Sequence, residues 1–196
     1  MTRWRASPSF SKTGLKRNSL FLLLLILLGA PLFGDEREAH IEATRVGNSF
    51  TFELAVLSAP EEEILNSLLE GMRSEVEYRI QLYRESRGLL RFFGDRLVEE
   101  YETHYVAYFD PFTRSYRIDS SGAFDSGEQV FEDPNSFLHA FLSLRSNDLR
   151  LPEMGEAYRI RGRSIVRPVR IAPPLGLMGF FLSNNRYGTA WVSVEL

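Results

Sequence analysis

Glu100, Glu102 and His104 stand at every second position. Alternate residues of a β-strand project to the same side, so in an extended segment these three groups share one face. A carboxylate beside an imidazole orients it, holds its positive charge, or shares a metal ion with it. The bland alternative is a solvated strand face paired with arginines on a neighbouring strand. Arg159, Arg161 and Arg163 repeat the same spacing, and Arg167 and Arg170 follow. A row of guanidinium groups grips phosphate, carboxylate or lipid headgroups bidentately. Its alternative is cross-strand pairing with Glu75, Glu77, Glu100 or Glu102. A third feature is the segment PPLGLMGFFLSNNRY from Pro173 to Tyr187, with Leu177, Phe180 and Phe181 set among glycines. Exposed, it marks a protein or membrane contact. Buried, it is one more core strand.

Several chemistries have no carrier in this chain. There is no phosphate-binding glycine loop, no Gly-x-Ser-x-Gly nucleophile motif and no His-Glu-x-x-His. His40, His104 and His139 lie far apart, and none has a second histidine at ligand spacing. Cysteine is absent, which removes disulfides, thiolate metal sites and cysteine nucleophiles together. The expectation is a protein that is not an enzyme, without cofactor or bound metal.

The elements that must position these groups are mostly strands. From Arg73 to Tyr83, Val76, Tyr78, Ile80 and Leu82 fall on one face and Glu75, Glu77, Arg79 and Gln81 on the other. That period of two predicts a strand with one dry and one wet face. A second long strand is predicted from Asp95 to Tyr108, with Leu97, Tyr101, Tyr105 and Ala107 opposite Glu100, Glu102, His104 and Val106. Asp110-Pro111 turns the chain, and Thr113 to Asp119 returns as the hairpin partner. Upstream, Ile41–Val46 and Phe50–Val56 read as a hairpin around Gly47-Asn48. Ser58 and Glu61 predict a capped helix start, Ile64, Leu65, Leu68 and Leu69 its buried stripe, and Gly71 its end. After a loop from Ser120 to Gly127 and a short strand at Gln129–Phe131, Asp133-Pro134 opens a second helix. Its apolar face is Phe137, Leu138, Phe141, Leu142 and Leu144. Further strands are expected over Ala157–Val166, where Pro168, Pro173 and Pro174 limit the continuation to an edge or an irregular segment, and over Ala190–Leu196. About eight strands joined by short turns predict a mainly β, antiparallel arrangement with two short helices, an α+β composition. A β-sandwich with the helices covering its ends is the first architecture; an open sheet with helices on one face is the second.

Residues 1–34 read differently. They hold five basic residues and no acid, and Leu20 to Leu28 is nine apolar residues without interruption, broken by Gly29, Ala30 and Pro31. This is the plan of a secretory signal peptide. From Leu20 to Phe33 a helix would span roughly 21 Å, short of the ~30 Å hydrocarbon core, which favours a cleaved signal over an uncleaved anchor. The organisation expected is therefore 1–34 signal segment and 35–196 one mainly β domain. Without cysteine, a lipid anchor on that residue is excluded. Beyond residue 34 there are 18 basic and 26 acidic residues, a net of −8. An acidic body argues against general nucleic-acid binding, which needs a basic face to displace counterions.

The order of elements resembles an uncharacterised family of exported bacterial proteins known only as a domain of unknown function. The resemblance covers roughly Phe50 to Leu196. It is carried by the apolar helix closing at Gly71 with the strand Val76–Leu82, and by the hairpin YVAYFDPFTRSYRI from Tyr105 to Ile118. The helix SFLHAFLSL from Ser136 to Leu144, the strand from Tyr158 and the closing Trp191 complete it. It implies export and fold and transfers no functional residue. The reading that results is an exported periplasmic or cell-envelope protein, non-enzymatic, acting as a protein-binding or structural module for an envelope partner, with peripheral membrane contact as an option. The alternative is a carrier or sensor domain for an apolar or anionic ligand, using Tyr101 and Tyr105 or the arginine row. A hydrolase working through Glu102 and His104 is the third. The contact residues these readings name are Arg159, Arg161, Arg163, Glu102, His104, Leu177, Phe180 and Phe181.

Overall fold

The computed structural model describes residues 36–86, 92, 94–153, 155–170 and 186–196. The leader, most of the loop around Leu89 and Leu90, and the Pro173 segment with Leu177, Phe180 and Phe181 lie outside the described residues. The chain runs β1 (Glu36–Arg37), β2 (Ala39–Val46), β3 (Ser49–Val56), α1 (Glu61–Leu69), β4 (Arg73–Arg84), β5 (Arg96–Asp110), β6 (Ser115–Gly122) and β7 (Gly127–Phe131). It continues through α2 (Pro134–Phe141), β8 (Ser143–Arg150), β9 (Tyr158–Arg170), β10 (Tyr187–Thr189) and β11 (Val192–Glu195). The large sheet has the order β1-β10-β9-β4-β5-β6-β7, and β11 also pairs with β9; the small sheet is β2-β3-β8. All pairings are antiparallel except β1 with β10. The mainly β, two-helix, sandwich-like expectation is what the molecule has.

The alternation of β4 sets the layering. Val76, Tyr78, Ile80 and Leu82 are buried between the sheets, beside Ile41, Phe50, Phe52, Leu54 and Val56 of the small sheet. The two sheets pack tightly at Gly162 of β9, where even a methyl group would lie 3.0 Å from Leu54 Cδ2 and 3.2 Å from Ile41 Cδ1 and Ile80 Cδ1. α1 buries Ile64 and Leu68. α2 buries Phe137 and Phe141, with Phe137 stacked on Tyr116 of β6 at 4.9 Å between ring centroids. The Tyr78 hydroxyl donates to the Phe141 carbonyl at 2.8 Å, tying the middle of the large sheet to the end of α2. Tyr105 lies edge-on against Tyr78, and Tyr101 packs on Phe124. Tyr105 thus belongs to the packed interior, and Tyr101 is partly buried against it.

Four details differ from the sequence expectation. The first helix is not capped by Ser58: Pro60 occupies the cap without a side-chain hydrogen bond. Glu61, Glu62 and Glu63 fill the first turn instead, where carboxylates offset the positive end of the helix dipole. The second helix stops at Phe141, and Leu144 is not on its stripe but in β8, opposite Leu54. β8 escaped notice because its polar sequence SLRSNDLR carries little apolar alternation and pairs across a register shift. The loop expected from Ser120 is shorter, because β6 runs to Gly122. Finally, β9 continues through Pro168 to Arg170. β10 pairs only with Ile165 and Val166, and the register against β4 shifts between Arg73 and Glu75. Proline's missing N–H therefore falls at an irregularity, where such a residue is tolerated.

Candidate functional site

The wet face of β4 lies between β5 on one side and β9 on the other. Register then decides which charged groups meet. Glu77 faces His104 and Ile165; Arg79 faces Glu102 and Arg163; Gln81 faces Glu100 and Arg161; Tyr83 faces Arg159. The Arg79 and Gln81 rungs of the outer face thus cross from a glutamate of β5 through β4 to an arginine of β9.

On the acidic side the trio read from sequence is rearranged. Glu100 is taken by the Gln81 side-chain amide, which donates to it at 3.0 Å. Glu77 replaces it: donor atoms of Glu77, Glu102 and His104 all lie within 4.8 Å of one another. His104 Nε2 is 3.2 Å from Glu102, and its Nδ1 is 3.9 Å from Glu75. Two arginines already occupy this cluster. Arg79 Nε donates to Glu77 at 2.8 Å and its Nη2 reaches Glu102 at 3.4 Å. Arg167 reaches Glu75 at 3.1 Å and Glu77 at 3.5 Å. Burial raises the Glu77 pKa, but the Arg79 hydrogen bond and the charges of Arg79, Arg167 and His104 together leave it below the ordinary value. Glu77 is therefore an ionised, buried carboxylate inside an ion-pair network. The arrangement supplies the fixed positive charge that a metal ion would otherwise bring.

On the basic side the arginine row splits. Arg159 is surrounded by Asp95 at 3.0 Å, Glu85 at 3.2 Å and Glu195 at 3.6 Å. Arg167 is held by Glu75 and Glu77. Arg167 thus meets two of the glutamates expected from sequence, whereas Arg159 is paired with carboxylates outside that set. Arg161 and Arg163, between them, have no carboxylate partner among the described residues. Aromatic rings hold them instead. The Arg161 guanidinium lies 5.7 Å from the Tyr83 ring centroid and 5.5 Å from that of Trp191; Arg163 lies 4.8 Å from Trp191. Arg163 Nε is buried with no hydrogen-bond acceptor, and its cross-strand neighbour on β4 is another cation, Arg79. Beside them a cleft of about 470 Å³ is lined by Tyr83, Asp95, Arg159, Arg161 and Ser193.

β11 brings Trp191 and Ser193 here. It pairs antiparallel with the first half of β9, placing Ser193 opposite Arg161. The alternation of Trp191 and Ser193 against Val192 and Val194 was legible in sequence, but nothing local linked Trp191 to the arginines. Glu77 was likewise visible only as one more charge on a wet face.

A family model described as "Domain of unknown function (DUF4390)" matches residues 37–195. No curated protein and no solved structure matches the chain.

Proposed function

The chain belongs to the DUF4390 family of unknown function, and from that premise we propose a non-enzymatic, exported binding module that engages an anionic group of a cell-envelope protein through Arg161 and Arg163. One observation carries the reading. Of four arginines on a single strand face, the outer two are held by carboxylates while the inner two, half-buried like them, lie against aromatic rings with no carboxylate partner among the described residues. Stacking on Trp191 holds each guanidinium in place through its ring quadrupole and leaves the N–H edge free for a bidentate acceptor. Two cations facing each other across strands, Arg163 and Arg79, repel. An anion accepting from the terminal N–H groups of Arg163 offsets that repulsion.

Export rests on the basic, apolar and small-residue succession of residues 1–34. The non-enzymatic reading is supported by the ties on the neighbouring titratable groups. Glu77, Glu102 and His104 are bound to each other and to Arg79 and Arg167, an arrangement that holds charge in place. A protein partner is favoured over an anionic lipid surface because the body carries a net −8. A charged membrane repels that body over its whole area, whereas a short acidic segment meets only the local arginine pair. A second reading, a small-anion carrier, is favoured by the cleft beside Arg161.

Trp191 itself supplies the test. The chain has two tryptophans, Trp4 and Trp191, so Trp4→Phe in the full chain leaves Trp191 as the reporter. Titration with a glutamate-rich peptide is expected to change its emission, weakening with added salt, with no change for the glutamine counterpart or in an Arg161→Gln/Arg163→Gln variant. Equal responses to both peptides, or an unaffected double variant, would overturn the assignment.

A further inference from the structure

We propose that the ligand is an extended peptide segment carrying two acidic residues separated by one, lying along β9 with one carboxylate on Arg161 and the other on Arg163. This rests on the anion-binding reading above and goes beyond it by giving the ligand a conformation and a spacing.

The first argument is dimensional. Residues two apart on a strand are separated by about 6.6 Å, since each residue advances about 3.3 Å. An extended partner chain has the same rise, so acids at alternate positions fall opposite the two guanidinium groups in step. Adjacent acids on an extended chain point to opposite sides and can serve only one arginine. A helix with acids one turn apart reaches a similar separation but is about 10–12 Å wide.

The second argument is the length of the free stretch. Toward the start of β9 the next residue on the face is Arg159, already surrounded by Glu85, Asp95 and Glu195. Toward the other end it is Ile165, and then Arg167 with Glu75 and Glu77. A third acid in register would meet either a filled arginine ringed by carboxylates or an apolar side chain. The recognised pattern is therefore two acids, with non-acidic residues at the flanking alternate positions. Ser193, opposite Arg161 on β11, adds a hydroxyl for a carboxylate oxygen that the guanidinium leaves unserved.

The experiment uses the full chain carrying Trp4→Phe and peptides of one composition that differ only in where two glutamates stand. Trp191 emission is expected to report binding of the alternate-spaced peptide at least tenfold tighter than of the adjacent-glutamate peptide or a stapled helical peptide with glutamates four apart. Arg161→Gln or Arg163→Gln alone is expected to abolish the preference among spacings, with circular dichroism showing an unchanged fold. Equal affinity for all glutamate peptides, still above the glutamine control, overturns the spacing and leaves the anion site standing. No response above that control overturns the anion site itself. Tighter binding to phosphatidylglycerol vesicles or to inorganic phosphate than to any peptide overturns the peptide as ligand.

Discussion

Arg79 Nε donates to Glu77 at 2.8 Å although both residues leave the same strand, two positions apart, on its solvent side. Glu77 is nevertheless buried, so its charge is kept only because Arg79 and Arg167 compensate it. A carboxylate whose folded-state pKa is depressed adds stability above its ordinary value, here 4.5, and loses that contribution as the pH falls through the folded-state pKa. Glu77→Gln is expected to destabilise the protein by about 2 kcal/mol at pH 7. In urea melts the gap to the parent chain should narrow steadily below pH 4.5. A gap of the same size at pH 7 and pH 3 would show that Glu77 acts through packing alone.

Gly122 closes β6 against β5 with φ of +140°. A methyl group there would meet the Glu102 carbonyl oxygen and lie 2.6 Å from Thr103 Cα, both fixed backbone. No side chain can swing aside to make room. Gly122→Ala is expected to cost about 3 kcal/mol, from backbone strain and overpacking combined. Chemical denaturation checks this, and a loss under 1 kcal/mol would mean that the β5–β6 hairpin shifts freely.

The two helix starts offer a paired comparison. Asp133 accepts from the Ser136 backbone N–H and from its hydroxyl, each at 2.7 Å, whereas Ser58 makes no cap at all. Asp133→Ala is expected to lower Tm by about 2–4 °C, and Ser58→Ala to leave it unchanged. Equal effects from the two substitutions would contradict the assignment of the caps.

Much of the framework was legible in the sequence because burying one face of a sheet imposes a period of two on every strand beneath it. Val76, Tyr78, Ile80 and Leu82 had nowhere else to go, and the hairpins around Gly47-Asn48 and Asp110-Pro111 follow from turn chemistry. β8 was hidden because only Leu144 and Ser146 of its first half turn inward among polar neighbours. The Ser58 cap was read from a spacing that fits a capping box, yet the helix begins two residues later, after Pro60. Leu144 looked helical because Leu138, Phe141 and Leu142 precede it at helical spacing. Only its pairing with Leu54 shows otherwise.

By itself the sequence determined most of the faces: which side chains of β4 and β9 and of the second half of β5 turn to solvent, although Leu97, read as inward, is exposed, and that arginines gather on one strand and carboxylates on another. That information is local, because the alternation of a strand is a property of consecutive residues. Only the tertiary structure decided which charges cancel. Strand order put β4 between the acidic and basic strands, register gave Arg79 to Glu77 and Glu102, and the pairing of β11 with β9 carried Trp191 over Arg161 and Arg163. Pairings of this kind join residues far apart in the chain, so no local pattern encodes them. They leave two arginines of the row against aromatic rings rather than paired with carboxylates among the described residues.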